Sequence, residues 1–186
     1  MTRLRLEDAE TITATEPREI LVLVEAPEVT VTWSRYGAGQ PGPDPHVHRE
    51  HVDAFYVLEG ELTFIMGPDG GRRRVGPGGM VAVPANVVHA FANESDADAT
   101  WLNMHAPDTG FAHYLRDLRE GRRPHFDQFD PPEDGGRPPA EVVVTDGGSL
   151  VLPELSIAET DADSGRGYTF ATANGRVVEI VAPSQS

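Results

Sequence analysis

The chain has no cysteine, and this absence excludes several kinds of chemistry. Without thiols there is no disulfide framework, no thiolate nucleophile and no sulfur-ligated metal site. Lysine is also absent, because all 15 basic residues are arginine, so a Schiff-base nucleophile is excluded as well. No apolar run approaches the ~18 residues of a membrane helix, and the N-terminal residues contain no apolar signal segment. We therefore expect a cytoplasmic protein with no membrane partner.

Positive charge is scarce. The 186 residues carry 30 acidic and 15 basic side chains, which gives a net charge of −15. An acidic surface repels the phosphates of nucleic acids, so nucleic acid is not an expected partner. The length is sufficient for one domain with a real core and marginal for two.

Helical periodicity is almost absent, and short β-like runs dominate the sequence. Glycine (19 residues) and proline (16 residues) separate these runs. The predicted strands cover residues 19–25, 29–36, 54–58, 61–66, 72–75, 80–83, 89–92 and 100–105. Short strands at this density predict an all-β protein built as a closed β-barrel or jelly roll.

One helix is predicted after the last of these strands. Phe111, Tyr114, Leu115 and Leu118 recur with helical spacing, and Gly121 is placed to end the helix. We expect this helix to pack against the outside of the barrel.

The chain divides into three parts by composition. Residues 1–123 hold the barrel with its N-terminal strands and helix, residues 124–140 form a Pro-rich arm, and residues 141–186 form a C-terminal β extension. Phe126 and Phe129 are candidates for anchoring the arm in an apolar groove. The extension either adds edge strands to the barrel or crosses to a partner subunit. Its β-like runs are residues 141–145, 149–152, 168–171 and 176–181.

Two blocks of sequence contain the residues most informative about chemistry. In the first, PHVHREHVDAFYVLEG, His46 and His48 lie two residues apart and Asp53 begins the next strand. Side chains two apart on a strand point to the same side, so both imidazoles face one point. The second block, GGMVAVPANVVHAFAN, supplies His89. If the blocks lie on neighbouring strands, three imidazoles and one carboxylate converge on a metal ion, which offsets the cost of burying the carboxylate.

Other residues near these blocks have more than one interpretation. His51 either lies behind the metal ligands, faces the substrate, is exposed in a loop or binds the ion itself. Asp53 either binds the ion directly or leaves it to three histidines and water. In the second case no carboxylate reduces the positive charge of the ion, and the site favours an anionic ligand. His105 could point into the barrel beside Asn103, but simple hydrogen bonding is the favoured expectation, and Asn93 is expected to tie strands together. The candidates for pocket lining, besides His51, are Phe55, Tyr56, Met66, Val83, Phe91 and Met104.

Both blocks resemble the two motifs of the cupin superfamily. His46, His48, Asp53 and Gly60 match the spacing of the first motif, although Asp53 replaces the usual Glu and is one methylene shorter. The second motif is matched by the four residues Gly78, Pro84, His89 and Asn93, while Asn86 replaces its turn glycine. The resemblance covers roughly residues 29–105 and implies a cupin double-stranded β-helix, a jelly-roll barrel with one metal centre.

The resemblance also implies a function. The first block and the helix after the barrel look like those of single-domain quercetin 2,3-dioxygenase-like cupins. This implies a metal-dependent dioxygenase acting on an enolisable or phenolic small molecule, with Asp53 as the base. Nitrogen-rich ligation without thiolate suits one divalent ion of Fe, Mn, Co, Ni, Cu or Zn. Two alternatives are an O₂-independent isomerase, cyclase or lyase and a non-catalytic small-molecule-binding cupin. A homodimer is expected from the family.

Overall fold

The computed structural model describes residues 2–4, 6, 9–139, 142–145, 149–151, 155–162, 165–172 and 177–181. Their strands are β1 (Thr2–Leu4), β2 (Glu10–Thr15), β3 (Arg18–Ala26), β4 (Val29–Tyr36), β5 (Val52–Glu59), β6 (Leu62–Met66), β7 (Gly71–Val75), β8 (Met80–Val83), β9 (His89–Ala92), β10 (Ala99–Ala106), β11 (Val143–Thr145), β12 (Ser149–Val151), β13 (Leu155–Ala162), β14 (Gly165–Thr172) and β15 (Val177–Val181). The single helix among the described residues is α1 (Phe111–Arg119).

A seven-stranded sheet forms the larger wall of the barrel. Its strand order is β11-β8-β5-β10-β4-β3-β2, and each neighbouring pair is antiparallel. Within it, β5 lies between β8 and β10, so that Asp53 stands opposite Val83 on one side and His105 on the other. The register therefore brings residues from distant parts of the sequence beside Asp53.

A smaller sheet of order β7-β6-β9 forms the opposite wall. The histidine segment runs beside β9, where Pro41 pairs with Ala92 and His46 pairs with His89 through antiparallel bridges. The amide of His46 donates to the carbonyl of His89 at 3.0 Å, and the reverse bond measures 2.9 Å. This pairing places both imidazoles side by side on the inner face of the barrel.

Alternation along the strands sorts the apolar side chains into two clusters. Phe55, Val57 and Trp101 belong to an inner cluster, together with residues of the small sheet such as Phe64. The intervening residues of the same strands face the other side of the large sheet. The main members of that outer cluster are Tyr56, Met80, Leu102 and Met104, each at most 1% exposed. The outer face of the large sheet is therefore covered within one chain.

Helix α1 follows β10 and is preceded by Gly110, whose φ of 93° is available at little cost to glycine. The carboxylate of Asp108 caps its first turn by accepting from the amides of Gly110 (3.0 Å) and Phe111 (3.3 Å). The chain leaves the helix through Gly121 at φ 71°, as the sequence predicts.

The position of α1 differs from the prediction. Ala112 and Leu115 pack on Ile12 of β2 and Val22 of β3, while Leu118 is 49% exposed. The same helix also lines the internal cavity described below, so it is part of the cavity wall and does not only cover the exterior. Amphipathic periodicity identifies the buried face of a helix, but not the surface against which that face packs.

The strands of the C-terminal region take two places. Strand β11 adds an edge to the large sheet by pairing with β8. Strands β12 to β15 form a separate five-stranded sheet of order β1-β15-β14-β13-β12, in which β1 pairs in parallel with β15. Residues 141, 152 and 176 of the predicted C-terminal runs lie outside the described residues.

The fold class predicted from the sequence is confirmed. The predicted strands between residues 19 and 105 are all present, with ends that differ by at most two residues, and the architecture is a jelly-roll barrel. Strands β1, β2 and β13 were missing from the prediction. Among the described residues, no helix has the length and apolarity needed to span a membrane.

Candidate metal centre

The structure brings the four predicted ligand residues together. His46, His48, Asp53 and His89 each offer one donor atom, and these atoms lie within 4.8 Å of one another. All four residues are at most 5% exposed. The Nε2 atoms of His89 and His48 lie 3.3 Å and 3.5 Å from Asp53 Oδ2, so the rings point toward the carboxylate.

The other nitrogen of each histidine is engaged with the backbone. The Nδ1 atom of His46 donates to the carbonyl of Asp44 at 2.8 Å, and that of His89 donates to the carbonyl of Val87 at 3.0 Å. His48 Nδ1 donates to the carbonyl of Asp127 through a short hydrogen bond. A carbonyl acceptor fixes the proton on Nδ1, which leaves the Nε2 lone pair directed into the site.

A divalent ion fits these residues. Among the described residues, His48 Nε2 is one of the buried side-chain polar atoms without a hydrogen-bond partner, and an unsatisfied buried polar atom is costly. Three imidazole nitrogens and a carboxylate form a donor set that suits transition metals, with no thiolate. The cluster is therefore compatible with one ion held by His46, His48, Asp53 and His89.

The electrostatics of the cluster favour an ionised Asp53. Burial alone would raise the pKa of its carboxyl, but the surrounding His105, His48 and His89 outweigh burial and hold the pKa well below its usual range. The amide of Asn103 also donates to Asp53 Oδ1 at 2.5 Å. Burial and the neighbouring His89 lower the pKa of His46 to about 3, so this imidazole is neutral and able to act as a ligand.

A second group of buried polar residues lies behind the first. The Nδ1 atom of His51 donates to Asp127 Oδ2 at 2.8 Å, and His51 Nε2 accepts from His105 Nδ1 at 2.8 Å. His51, His105 and Asp127 are at most 7% exposed. Burial lowers the pKa of His51 to about 4 and that of His105 well below its ordinary value. Of the interpretations open for His51, the structure supports the position behind the ligands, and His105 makes the hydrogen bonds expected of it.

A cavity of about 220 Å³ opens beside the cluster. Its polar end is formed by the side chains of His46, His48, Asp53, Asn103 and His105. Its aromatic walls are Tyr36, Phe91, Trp101, Phe111 and Tyr114. Arg18 lies at the rim, with its guanidinium carbon 4.3 Å from the centroid of the Tyr36 ring. The arrangement admits a small aromatic molecule with a polar group directed at the histidines.

The predicted pocket lining is corrected by this geometry. Phe91 lines the cavity, but Tyr56 and Met104 point to the outer face of the large sheet. The alternation that places Asp53 and Phe55 inward requires Tyr56 to face outward. The remaining predicted residues do not line the cavity either: Phe55 and Val83 are buried in the inner core, Met66 packs against it, and His51 lies behind the ligands.

Several residues of the site were not identified from the sequence as contributors. Asp127 and Phe126 come from the arm, far along the chain from the histidine segment, and no motif spacing connects them with it. Asn103 and His105 alternate on β10 as an inward-facing polar pair, and this alternation was a usable signal. Asn93 ties strands as expected, since its amide donates to the carbonyls of Tyr36 and Gly37.

Comparisons with known proteins agree with this fold and site. Residues 32–105 match the family model of the cupin domain. A stretch of 50 residues is 42% identical to quercetin 2,3-dioxygenase of Bacillus subtilis (strain 168). This stretch covers 27% of this chain and only 14% of that protein. The chain thus matches a small part of that relative.

Solved structures are similar in fold. KdgF from Halomonas sp. superposes with a TM-score of 0.52 at 17% identity, covering 60% of this chain and 99% of that one. The polyketide cyclase RemF from Streptomyces resistomycificus gives a TM-score of 0.49 at 22% identity, covering 58% and 80% of the two chains. The matched domain and the barrel define a cupin. Residues 32–105 belong to the cupin superfamily, and they contain the buried His/Asp cluster compatible with a metal ion.

Proposed function

We propose that the protein is a metal-dependent dioxygenase that acts on an enolisable or phenolic small molecule. The observation that carries this proposal is the set of Nε2 lone pairs of His46, His48 and His89, fixed around Asp53 at the polar end of an aromatic cavity. The local identity with quercetin 2,3-dioxygenase supports the choice of reaction. When bound, a divalent transition ion supplies Lewis acidity toward a substrate hydroxyl and a site for O₂ chemistry.

The chain's own residues bind and orient the substrate in this proposal. The rings of Phe91, Trp101 and Phe111 enclose an aromatic body and exclude water from it. Asp53, ionised and 3% exposed, accepts the proton that the substrate hydroxyl releases. Asn103 holds the carboxylate through Oδ1, which leaves Oδ2 on the side of the histidines.

The test is O₂ consumption by protein loaded with Fe, Mn, Co or Ni in the presence of flavonols and simpler enols. We expect substrate-dependent uptake that His89→Ala abolishes, because this substitution removes one ligand. His113→Ala is the matched control, since this side chain is 71% exposed on α1 and is not one of the clustered residues. Equal turnover with and without O₂ would contradict the dioxygenase.

A second candidate is an O₂-independent isomerase, cyclase or lyase that uses the same centre. The position of His105 favours it, because its Nε2 atom lies 3.8 Å from Asp53 Oδ1 and the ring lines the cavity. Two adjacent proton acceptors suit a reaction that moves a proton between two substrate atoms. Turnover under strictly anaerobic conditions would support this candidate. Ligand binding without turnover in either atmosphere would favour a non-catalytic binding protein.

The proposal includes a homodimer, as is usual in the family. The outer face of the large sheet is covered within a single chain, so the dimer would use another surface. Light scattering coupled to size exclusion measures the mass directly, and the mass of one chain would contradict the dimer.

A further inference from the structure

The arm that follows α1 lies directly against the histidine segment. Val47 and Phe129 form an antiparallel bridge, in which each amide donates to the other's carbonyl at 3.0 Å. The guanidinium carbon of Arg49 lies 3.8 Å from the centroid of the Phe129 ring. The arm is thus the neighbour of the segment that carries His46 and His48, on the side opposite β9.

Asp127 makes a concentrated set of contacts from this arm. Its carbonyl accepts from His48 Nδ1. Its carboxylate accepts from the amides of Arg49 and Glu50, at 3.0 Å and 2.8 Å, and from His51 Nδ1 at 2.8 Å. One residue therefore holds the ring of a candidate ligand and the backbone of the two residues that follow it.

The three candidate ligand histidines differ in where their backbone acceptors come from. The acceptors for His46 and His89 lie two residues earlier in the same segments, so local chain geometry fixes those rings. The acceptor for His48 comes from 79 residues further along the chain. His48 is also the one whose Nε2 atom is buried without a hydrogen-bond partner. Its orientation thus depends on the arm.

Burial of the arm at this point is consistent with such a dependence. Phe126 is 5% exposed and Asp127 is 7% exposed, in a stretch whose neighbours are mostly exposed. The ring of Phe126 packs on His51 at 5.4 Å and on Phe111 at 5.3 Å between centroids. Burying a carboxylate is unfavourable unless donors compensate it, and among the described residues the donors to the Asp127 carboxylate come from residues 49–51.

We infer that Asp127 is a positioning residue of the metal centre, and that residues 126–129 of the arm are a structural part of that centre. The inference rests on the metal-binding part of the proposed function. The carboxylate of Asp127 holds residues 49–51, and this contact keeps the Asp127 carbonyl at His48 Nδ1. His48 Nε2 is then aimed at the ion before the ion binds.

The experiment is a titration of the metal-free full-length protein with Co²⁺, followed by visible absorption. Asp127→Asn retains the size of the side chain but presents N–H groups to donors, and Asp127→Ala removes the contacts. We expect Co²⁺ affinity about 10- to 100-fold weaker in both variants, with an altered spectrum of the bound ion. Asp130→Asn is the matched control, because Asp130 is exposed on the same arm. It should bind Co²⁺ like the wild type.

Thermal unfolding of each metal-free variant separates positioning from folding. If Asp127→Ala does not fold, Asp127→Asn decides the question. Wild-type affinity and spectrum in a folded Asp127→Asn variant would overturn the inference. A wild-type protein that takes up no Co²⁺ would overturn both the inference and the metal centre. A wild-type protein that binds Co²⁺ but never consumes O₂ would overturn the dioxygenase and leave the inference standing.

Discussion

The five buried histidines can be distinguished by the hydrogen-bond partners of their ring nitrogens. His46, His48 and His89 donate from Nδ1 to carbonyls, which leaves their Nε2 lone pairs free to bind an ion. His48, His51 and His105 also lie close enough to form a second candidate group. In that group, however, His51 and His105 use their nitrogens to bond each other and Asp127. The first group is therefore the better ion site, and the second supports it.

Metal affinity should depend on pH through His48. Burial opposes protonation of this ring, but Asp53 and Asp127 outweigh burial and raise the pKa of His48 above its ordinary value of 6.5. In the metal-free protein this raised pKa contributes stability that is fully present below pH 6.5 and is lost as the pH rises through the folded-state pKa. An ion must displace the same proton in order to bind. The stability that this proton gives the metal-free protein is therefore lost as the pH rises, whereas the affinity for the ion increases.

We expect the affinity for Co²⁺ to fall by about tenfold per pH unit once the pH drops below the folded-state pKa of His48. His46 should not compete in this range, since its pKa is about 3. Competition titrations between pH 5 and pH 8.5, roughly the range that imidazoles sample in proteins, would measure the dependence. An affinity that stays constant over that range would contradict the prediction.

The outward position of Met104 gives a second prediction at this scale. Met104 is fully buried on the outer face of the large sheet, away from the cavity. Met104→Ala should lower the free energy of unfolding by about 2–5 kcal/mol and leave Co²⁺ affinity unchanged. Denaturant unfolding and the same titration check both parts. A stable variant with weakened ion binding would show that Met104 faces the cavity after all.

The sequence was sufficient to predict the four candidate ligands, but not the residues that hold them in position. The ligands lie in two short motifs, and the alternation of strand residues brings His46 and His48 to one side. Asp127 supports His48 from a Pro-rich stretch with no periodicity. The pairing of Asp53 with His105 depends on the register between β5 and β10, which local sequence does not contain.

At the level of elements, the segment at residues 41–47 must lie very close to β9. A Cβ on Gly42 would stand 1.9 Å from the carbonyl oxygen of Phe91, which is backbone and cannot move aside easily. Glycine is therefore needed here for close approach and not for a left-handed conformation. The approach brings Pro41 opposite Ala92 and sets the pairing of His46 with His89.

Gly42→Ala should separate this segment from β9 and disturb His46. We expect a loss of about 1–3 kcal/mol in unfolding free energy, together with weaker Co²⁺ binding. Gly76→Ala is the matched control, because no atom lies within 4 Å of the position of its added Cβ. Calorimetry and metal titration of both variants would test this, and equal behaviour of the two would count against a close contact at Gly42.

The sequence of a strand that the prediction missed gives little strand signal of its own. Strand β2 (ETITAT) has Ile12 as its single buried residue, so its sequence lacks the alternation that marks a strand. Strand β13 (LSIAETDA) contains two acidic residues, which strands rarely favour. Both strands are specified by their pairing partners, β3 for the first and β12 and β14 for the second.

Considered as a whole molecule, the candidate centre connects three separate parts of the fold. Asp53 belongs to the large sheet, His89 belongs to the small sheet, and the segment with His46 and His48 bridges from β9 to the arm. An ion held by all of them would link both walls of the barrel and the arm that Asp127 anchors. Such an ion would be expected to stabilise the native state as a unit and not one sheet alone.

Removal of the ion should therefore lower the midpoint of the entire unfolding transition. At a free ion concentration about 100 times the dissociation constant, binding to the native state contributes about 2.7 kcal/mol. Treatment with a chelator should abolish this contribution, and addition of Co²⁺ should restore it in the wild type but not in His89→Ala. Far-ultraviolet circular dichroism and tryptophan fluorescence should shift together, because Trp101 lies in the core between the two sheets. A shift seen by one probe alone would indicate that the ion stabilises only part of the barrel.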